Sequence, residues 1–412
     1  MNESNIMNIQ YIRNCYGCGL CAIACPKRII NIELNNEGFY EPNITDITDC
    51  LDCGLCCEVC AYTHKELSLQ CRTPKSYAAW SNDSIIRSEC SSGGIGFELG
   101  RTLIGKGYHV CGVRYNTELA RAEHYIATTI DELRPSIGSK YIQSYTINGF
   151  SSINRKQKYL VTGTPCQIDS FRRYIRKFHM EDNFLLMDFF CHGVPSMLMW
   201  RKYITDVEKK IGKLTYVSWR NKRTGWHDSW AMAIESEFNK KMPIGGNNDV
   251  LKYKREHFFY SRLSQGDNFY RLFLSDACLG KACYTDCKYK DLQSSADIRI
   301  GDLWGKTYSQ NEEGVSAVLT FTSKGDELLK WCNCTLVEHP LEIVTEGQMK
   351  TCPQRGYIYN KAMAVLMDEN ATINDVASAI KLPLKLNNLI NILKHPSKLY
   401  SYIVNRMKKY ED

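Results

Sequence analysis

The stretch that decides the fold is Cys15-Tyr16-Gly17-Cys18-Gly19-Leu20-Cys21-Ala22-Ile23-Ala24-Cys25-Pro26, and its cysteine spacing returns in Cys50-Leu51-Asp52-Cys53-Gly54-Leu55-Cys56-Cys57-Glu58-Val59-Cys60. In both runs the cysteines are separated by two, two and three residues. This spacing holds two [4Fe-4S] cubanes, because three thiolates on a tight loop cap three irons and the fourth reaches the other cube. A pair of zinc sites would not need the third cysteine of each run. The two runs therefore predict a pair of iron–sulfur clusters that transfer electrons.

Two positions depart from the usual form of this motif. Ala61 stands where a proline often follows the second run, and Cys57 directly follows Cys56. Either of these two thiols can ligate iron, but the spacing favours Cys56, and Cys57 is then a small buried apolar residue beside the site. The predicted ligands of the two clusters are Cys15, Cys18, Cys21, Cys25, Cys50, Cys53, Cys56 and Cys60.

The composition is that of an ordinary globular protein. The chain has 412 residues, of which 44% are hydrophobic, and this is enough for two or three domains with full cores. Twenty cysteines would indicate a disulfide scaffold in a short secreted chain, but here many have metal-ligand spacing and no apolar signal segment opens the sequence. No apolar stretch is long enough to span a bilayer. We therefore expect a cytoplasmic protein without a transmembrane segment.

The charge balance excludes little and favours no macromolecular partner. The formal net charge is +7, and the basic residues are spread along the chain rather than gathered in one stripe. Nucleic-acid binding is therefore not predicted. A mild positive excess suits an anionic cofactor or an acidic electron carrier.

Beyond the cysteine runs, apolar strands alternate with helices. Such alternation predicts an α/β (α+β) fold, with a ferredoxin-like two-cluster domain followed by a mixed, largely parallel sheet covered on both faces. The predicted strands are Ile30–Leu34, Phe39–Glu41, Ser76–Trp80, Gly107–Tyr115, Tyr159–Gly163 and Leu185–Phe190, with an antiparallel pair at Thr215–Arg220 and Ser229–Ile234. The predicted helices include Ile168–Phe178, Met197–Ile211 and the tail from about Ile373 to Asp412.

Four further cysteines and two glycine motifs are candidates for a second site. Cys166 and Cys191 each follow a predicted strand, and the carboxyl ends of parallel strands are where cofactors collect. Cys283 and Cys287 form a further pair, although scattered cysteines are more often buried and inert. Gly93-Gly94 before a helix can cradle a phosphate or can simply start the helix. Gly138-Ser139-Lys140-Tyr141 can hold a ring and a phosphate or can be a surface turn.

Several short motifs in one order resemble the coenzyme F420 hydrogenase/dehydrogenase beta-subunit family. The motifs are Ser92-Gly93-Gly94, Gly138-Ser139-Lys140-Tyr141, Pro165-Cys166-Gln167, Cys191-His192-Gly193-Val194-Pro195, Arg220-Asn221-Lys222, Cys283 to Lys288, and Ala296 to Gly305. The resemblance covers roughly residues 10 to 350, and the ordered set is far more specific than any one motif. It predicts a ferredoxin-type domain at 8–70, N-terminal-like and C-terminal-like domains of the beta-subunit family at 74–155 and 156–350, and a helical tail at 351–412.

The resemblance implies FAD and a third [4Fe-4S] cluster held by Cys166, Cys191, Cys283 and Cys287. The family usually has two residues between the last two of these cysteines, whereas here there are three, and Cys278 lies close by in sequence. The choice of ligands there is therefore open.

The resemblance also assigns flavin-binding roles. Ser92, Gly93 and Gly94 would face the flavin phosphates, and Lys140 and Tyr141 would lie along the flavin. Asp302 would bind backbone or a cofactor group. His192 would donate a proton near the flavin or would pack against the cluster loop.

The sequence thus predicts an iron–sulfur flavoprotein oxidoreductase. Electrons would pass between a ferredoxin-like carrier and FAD for two-electron reduction or oxidation of a small substrate or an F420-like cofactor. F420 itself is not assumed, and the resemblance also suggests a role in polysaccharide biosynthesis. The alternatives are a non-catalytic electron-transfer subunit that docks to a partner oxidoreductase and a zinc-stapled interaction protein.

Overall fold

The computed structural model of the chain describes residue 9 and residues 11–70, 72–237, 257–284 and 287–394. The strands are β1 (Ile30–Leu34), β2 (Tyr40–Ile44), β3 (Lys75–Ser81), β4 (His109–Asn116), β5 (Arg121–Ala127), β6 (Ser144–Tyr145), β7 (Tyr159–Thr162), β8 (Phe184–Phe189), β9 (Leu214–Ser218), β10 (Ala231–Ser236), β11 (Phe258–Arg262), β12 (Ile298–Asp302), β13 (Ser316–Thr320) and β14 (Cys334–Glu338). The helices are α1 (Leu20–Ala24), α2 (Leu55–Glu58), α3 (Ser84–Glu89), α4 (Ile95–Ile104), α5 (Ile130–Leu133), α6 (Ile147–Ser151), α7 (Pro165–Lys177), α8 (Met197–Ile211), α9 (Asn268–Leu274), α10 (Ser323–Trp331), α11 (Leu341–Val344), α12 (Tyr357–Leu366) and α13 (Ile373–Lys394). The part of the predicted tail from 395 to 412 lies outside the described residues.

The two cysteine runs fold in the same way. A glycine precedes the short helix in each run, Gly19 before α1 and Gly54 before α2, with φ of 74° and 70°. Glycine adopts this left-handed conformation at little cost, so each chain can turn sharply between its second and third cysteines. Between the runs, β1 and β2 form an antiparallel pair with Ile30 opposite Ile44. The predicted N-terminal ferredoxin-type unit is therefore confirmed.

The large sheet has nine strands in the order β14-β3-β13-β12-β8-β7-β4-β5-β6. The four central strands β12, β8, β7 and β4 are parallel neighbours, and β5 is parallel to β6. The other pairs in this sheet are antiparallel. The predicted mixed α/β class is confirmed, with the parallel pairing concentrated in the centre. The central strand β8 is buried from Phe184 to Asp188, as a parallel strand covered on both faces must be.

Both predicted beta-subunit domains contribute to this one sheet. Strands β3 to β6 lie within residues 74–155, whereas β7, β8 and β12 to β14 lie within residues 156–350. The predicted boundary at 155/156 therefore separates two stretches of sequence whose strands belong to the same sheet. The domain boundaries themselves stay a prediction. A separate antiparallel sheet, β11-β10-β9, contains the predicted pair of strands.

The centre of the large sheet fixes one edge at which three strands end. Because β7, β8 and β12 are parallel neighbours, their carboxyl ends meet at the same edge. A buried ion pair joins two of them: the Asp188 carboxylate of β8 lies 2.7 Å from the Arg299 guanidinium of β12, and both side chains are inaccessible to solvent. None of the described helices combines the length and apolar composition that crossing a membrane requires.

Candidate iron–sulfur and cofactor sites

The first cysteine group contains Cys15, Cys18 and Cys21 of the first run together with Cys60 of the second. Burial, and then the neighbouring Cys60, raise the pKa of the Cys18 thiol to about 11. The pKa of Cys15 is raised by burial and then by Cys18 and Cys60. The pKa of Cys21 is raised by burial and then by the other three. The fourth cysteine of the second run therefore reaches the loop of the first.

The second group has the reciprocal composition. Cys25 of the first run lines one small cavity together with Cys50, Cys53 and Cys56 of the second. Apolar side chains, among them Ile9 and Leu51, complete its wall. Cys56, which the spacing favours over Cys57, is thus on this wall. The exchange of fourth cysteines between the two runs is the arrangement that two cubanes need.

Side chains of the α/β region form hydrogen bonds with the loops that carry the first cysteine group. Ser170 of α7 accepts hydrogen bonds from the Cys18 thiol at 3.2 Å and from the Ala61 N–H at 3.0 Å. A proline at position 61 has no N–H to donate, and this explains why alanine stands there. Thr146 donates to the Cys18 carbonyl at 2.9 Å. A Cβ on Gly17 would lie 2.3 Å from the amide nitrogen of Gln143, so the loop packs directly on the sheet region.

The third group brings together the four dispersed cysteines Cys166, Cys191, Cys283 and Cys287. Burial raises the pKa of Cys166 well above its ordinary value, and the other three thiols raise it further. Burial also raises the pKa of Cys283 to about 12, with Cys191 and Cys287 adding to the effect. Cys166 and Cys191 follow β7 and β8, whose carboxyl ends meet at the same edge. The fold thus brings together cysteines that are up to 121 positions apart in the chain.

Lys290 is a buried cation that contacts the loop carrying Cys191. Its ammonium donates to the carbonyls of Cys191 and His192 at 2.8 and 2.9 Å, and the side chain is buried. The positive charge lowers the pKa of Cys191, against a larger rise caused by burial. Lys290 therefore fixes the loop that carries one thiol and favours its thiolate form, as outer ligands of metal sites do.

Cys278 is excluded from the third group by its surroundings. It is fully buried, its thiol contacts the sulfur of Met199 at 3.2 Å, and burial raises its pKa to about 12. A cysteine in such a place behaves as a small apolar residue. Sequence reasoning missed Cys352 instead, whose thiol donates to the Cys287 carbonyl at 3.1 Å. The sequence marks Cys352 only by the proline that follows it, and this residue lies outside the motifs of the resemblance.

The thiols in these groups are not packed as ligands of a single ion. Within the part of the chain that the structure describes, no three cysteine, histidine or carboxylate side chains are close enough to hold one metal ion. A tetrahedral zinc ion with a Zn–S distance of ~2.3 Å needs thiolate sulfurs about 3.8 Å apart. The described thiols are not grouped in this way.

Two tyrosines connect the first and third groups. Tyr16 lies between Cys15 and Cys18 in sequence, and its pKa is raised by burial and then by Cys166, Cys287 and Cys283. Its ring packs edge-on against Tyr289, with 5.6 Å between the ring centres. The Tyr289 hydroxyl donates to Asp169 at 2.7 Å. The first and third cysteine groups are therefore neighbours across Tyr16.

A cavity of about 1180 Å³ opens beside the sheet. Its wall carries more basic than acidic side chains, but several of the basic groups already bind protein oxygens. The Lys222 ammonium donates to the carbonyls of Arg87, Ser92 and Glu313. Burial lowers the pKa of Lys222 to about 8.

Of the six residues predicted to bind flavin, only Lys140 lines this cavity. Its ammonium donates to the carbonyls of Pro135, Ile137 and Gly138 at 2.9 to 3.1 Å, and burial lowers its pKa to about 7. Tyr141 lies behind the wall, where its ring packs against Trp230 and Phe273. Lys140 thus shapes the loop that forms the wall, and its contact with a flavin stays a prediction.

The glycine motif lies close by but is used by the sheet. Ser92 donates to the Val315 carbonyl at 2.8 Å. A Cβ on Gly93 would lie 2.3 Å from the Ala79 carbonyl, so glycine is required where the loop crosses β3. Gly94, with φ of 88°, begins α4. The packing explains both glycines without a phosphate, and their predicted phosphate contact stays a prediction.

Asp302 and the buried Arg220 form an ion pair beside the cavity. The Arg220 guanidinium lies 2.8 Å from the Asp302 carboxylate and 4.5 and 5.0 Å from the ring centres of Trp230 and Trp304. The Asp302 side chain thus contacts arginine, which is neither of its two predicted roles, and its contact with a cofactor group stays a prediction. Arg220 belongs to the motif Arg220-Asn221-Lys222, but that motif did not indicate an ion pair with Asp302.

His192 does not line the cavity. Its Nε2 lies 2.7 Å from the Asp276 carboxylate, and its ring centre is 4.7 Å from that of Phe273. The ring therefore packs against α9 and the residues that follow it, and both predicted roles, packing against the cluster loop and donating a proton near the flavin, stay predictions.

Comparisons with known proteins agree with this organisation. Residues 156–338 match the family described as the C terminus of the beta subunit in coenzyme F420 hydrogenase/dehydrogenase, and residues 14–63 match the 4Fe-4S dicluster domain. The family predicted from the motifs is confirmed. The chain is an iron–sulfur electron-transfer protein related to these beta subunits.

One solved structure that resembles the chain is the F420-reducing [NiFe] hydrogenase complex from Methanosarcina barkeri. The sequence identity is 16%, the TM-score is 0.40, and the alignment covers 77% of this chain and 94% of that chain. No curated protein matches the chain.

Proposed function

We propose that the chain is an iron–sulfur flavoprotein oxidoreductase with three [4Fe-4S] clusters and FAD. It passes electrons between a ferredoxin-like carrier and a small substrate or an F420-like cofactor. Iron–sulfur clusters exchange single electrons and a flavin exchanges one or two, so the two cofactors together connect a one-electron carrier with two-electron chemistry. A link to polysaccharide biosynthesis remains a prediction from the family resemblance.

The observation that carries the proposal is the convergence of four dispersed cysteines beside the first cysteine group. Cysteines that are inert core residues have no reason to converge in fours beside a dicluster unit. Here Cys166, Cys191, Cys283 and Cys287 converge, and Tyr16 of the first cysteine run lies near them. Soft thiolates bind iron–sulfur clusters, zinc and copper(I), and within the described residues the thiols are not grouped to hold a single ion, which favours a cluster.

A chain of aromatic contacts supports FAD in the large cavity. From Cys191 the next residue, His192, packs on Phe273, whose ring centre is 5.2 Å from that of Tyr141. The Tyr141 hydroxyl is 3.3 Å from Arg220, which lines the cavity. The cavity is at least as large as ordinary small-molecule and cofactor pockets, which measure roughly 300–1,000 Å³, and its basic side chains suit phosphate groups. In the proposal Lys140 and Arg220 would form the wall against the flavin.

Anaerobic purification with iron, sulfide and flavin quantified together tests the proposal. About twelve irons and one FAD per chain are expected, since each cluster holds four irons. About eight irons with FAD would contradict the third cluster alone, and the absence of flavin at full iron content would contradict the assignment of the cavity.

A second candidate is a non-catalytic electron-transfer subunit that docks to a partner oxidoreductase. It is favoured by the matched family, whose members are described as beta subunits. Turnover by the isolated, reconstituted chain separates the two candidates. Reduction of small acceptors such as flavin analogues supports the enzyme, whereas electron transfer to another protein alone supports the non-catalytic role.

A further inference from the structure

A fifth thiol lies beside the third cysteine group. Cys352 donates to the Cys287 carbonyl at 3.1 Å, and its half-buried side chain belongs to the segment that follows α11. Burial raises the pKa of Cys352, and the Cys287 thiol raises it further. The thiols of Cys287 and Cys352 are therefore close neighbours.

The segment before Cys352 is anchored to the loops around the site. The Gln348 side chain donates to the Asp302 carbonyl at 2.5 Å, and the Met349 carbonyl accepts from the Asp291 N–H at 3.3 Å. Both anchors lie on the chain that leads from Cys287 to the end of β12. Cys352 is thus held at the site by the fold.

The arrangement offers five thiols where a cubane takes four. Cys352 is the neighbour of Cys287 and is therefore available to take its place.

We propose that Cys352 is an exchangeable ligand of the third [4Fe-4S] core and replaces Cys287 as its fourth thiolate. The proposal rests on the third cluster of the proposed function. In the exchange the bond between iron and the Cys287 sulfur breaks and a bond to the Cys352 sulfur forms. The proton released by the Cys352 thiol passes to the Cys287 thiolate. No electron is transferred, so no oxidant or reductant is required.

Iron content of anaerobically purified variants tests the exchange. The single variants Cys287→Ser and Cys352→Ser should each keep about twelve irons per chain, whereas the double variant should keep about eight. Cys332→Ser combined with Cys287→Ser is the matched control, because Cys332 is a half-buried thiol that contacts the Leu328 carbonyl on α10 and the side chains of Cys334 and Thr102. This control should keep about twelve irons.

Three outcomes would overturn the proposal. One is a fall to about eight irons in Cys287→Ser alone, and another is about twelve irons in the double variant. The third is a Cys287–Cys352 disulfide in the iron-loaded wild type, detected by mass spectrometry. About eight irons in the wild type itself would instead refute the third cluster of the proposed function.

Alkylation of the native protein gives a second readout that does not depend on iron retention. In the wild type, iodoacetamide should label Cys352 and leave Cys287 protected as the resident ligand. In Cys287→Ser, Cys352 should become protected. Labelling of Cys352 at the same rate in the wild type and in Cys287→Ser would contradict the exchange.

Discussion

The N-terminal cysteine groups and the third group are built in different ways from the same ligand type. The first two groups come from two runs within residues 15–60, in which glycines at matching positions give the same turn. The third group is assembled by a sheet, since Cys166 and Cys191 follow neighbouring parallel strands. Spacing alone therefore specifies the first two sites, whereas the third site depends on the folding of the whole α/β region.

Variants of the fourth cysteine of each run should change the iron content more than any other variant changes the protein. In Cys60→Ala we expect the loss of about four of ~12 irons from the first core, while Cys25→Ala removes about four irons from the second core. Each variant should keep the EPR signal of the other core after dithionite reduction. Loss of the same EPR signal in both variants would contradict the reciprocal arrangement.

The dependence of the third group on the sheet is tested by its buried ion pair. Asp188→Ala leaves the Arg299 guanidinium buried without its carboxylate, so the free energy of unfolding should fall by about 3–5 kcal/mol in urea titrations. Iron of the third core should be released at lower urea than iron of the N-terminal cores. Asp206→Ala is the control, because its pair with Lys210 lies on a helix surface and contributes about 0.5 kcal/mol or less. Equal effects of the two variants would refute the dependence.

Acid should weaken the α/β region through His124. This buried histidine donates from Nε2 to the Thr162 carbonyl, and burial lowers its pKa from 6.5 to about 4. Between these values the unfolded chain binds a proton that the folded chain does not. The free energy of unfolding is therefore undiminished above pH 6.5 and falls as the pH drops toward 4.

The loss attributable to His124 is roughly 3 kcal/mol, at about 1.4 kcal/mol for each pKa unit. It is measured by urea unfolding of wild type and His124→Gln at several pH values. The variant should lose less stability between pH 6.5 and pH 4 than the wild type. An unchanged pH slope in His124→Gln would refute this origin.

The smallest effect concerns the contact between the two regions. Ser170→Ala removes the acceptor for the Cys18 thiol and leaves the buried Ala61 N–H without a partner, so a loss of about 1–3 kcal/mol is expected. Thermal unfolding followed by absorbance of the clusters measures it. Lys177 lies on the same helix as Ser170 and forms an exposed ion pair with Glu58 of α2. Lys177→Ala should lower the free energy of unfolding by less than about 1 kcal/mol. If the two variants lose equal stability, Ser170 does not couple the regions.

Much of the local structure could be predicted from the sequence. The periodicity gave the bounds of α8 at Met197–Ile211 and placed β7 and β8, because buried strands and amphipathic helices have distinct patterns. The order of strands was not predictable, since pairing with β13 and β14 joins residues far apart in the chain.

Local spacing was enough to predict the two N-terminal cysteine groups, whereas the four dispersed cysteines could be named only from strand ends and the family resemblance. Their convergence depends on strand order, and Cys352 lies on a segment with no motif. Gly93 looked like a phosphate-binding residue, but its need for glycine comes from the Ala79 carbonyl, a contact that no local pattern encodes.

In the proposed function, four sequence-distant cysteines hold an iron–sulfur core beside the dicluster unit. Iron and acid-labile sulfide per chain, measured in anaerobically purified wild type and Cys166→Ala, test this core. About twelve irons are expected in the wild type and about eight in the variant, with the N-terminal cores retained. Equal iron and sulfide in the two proteins would contradict it.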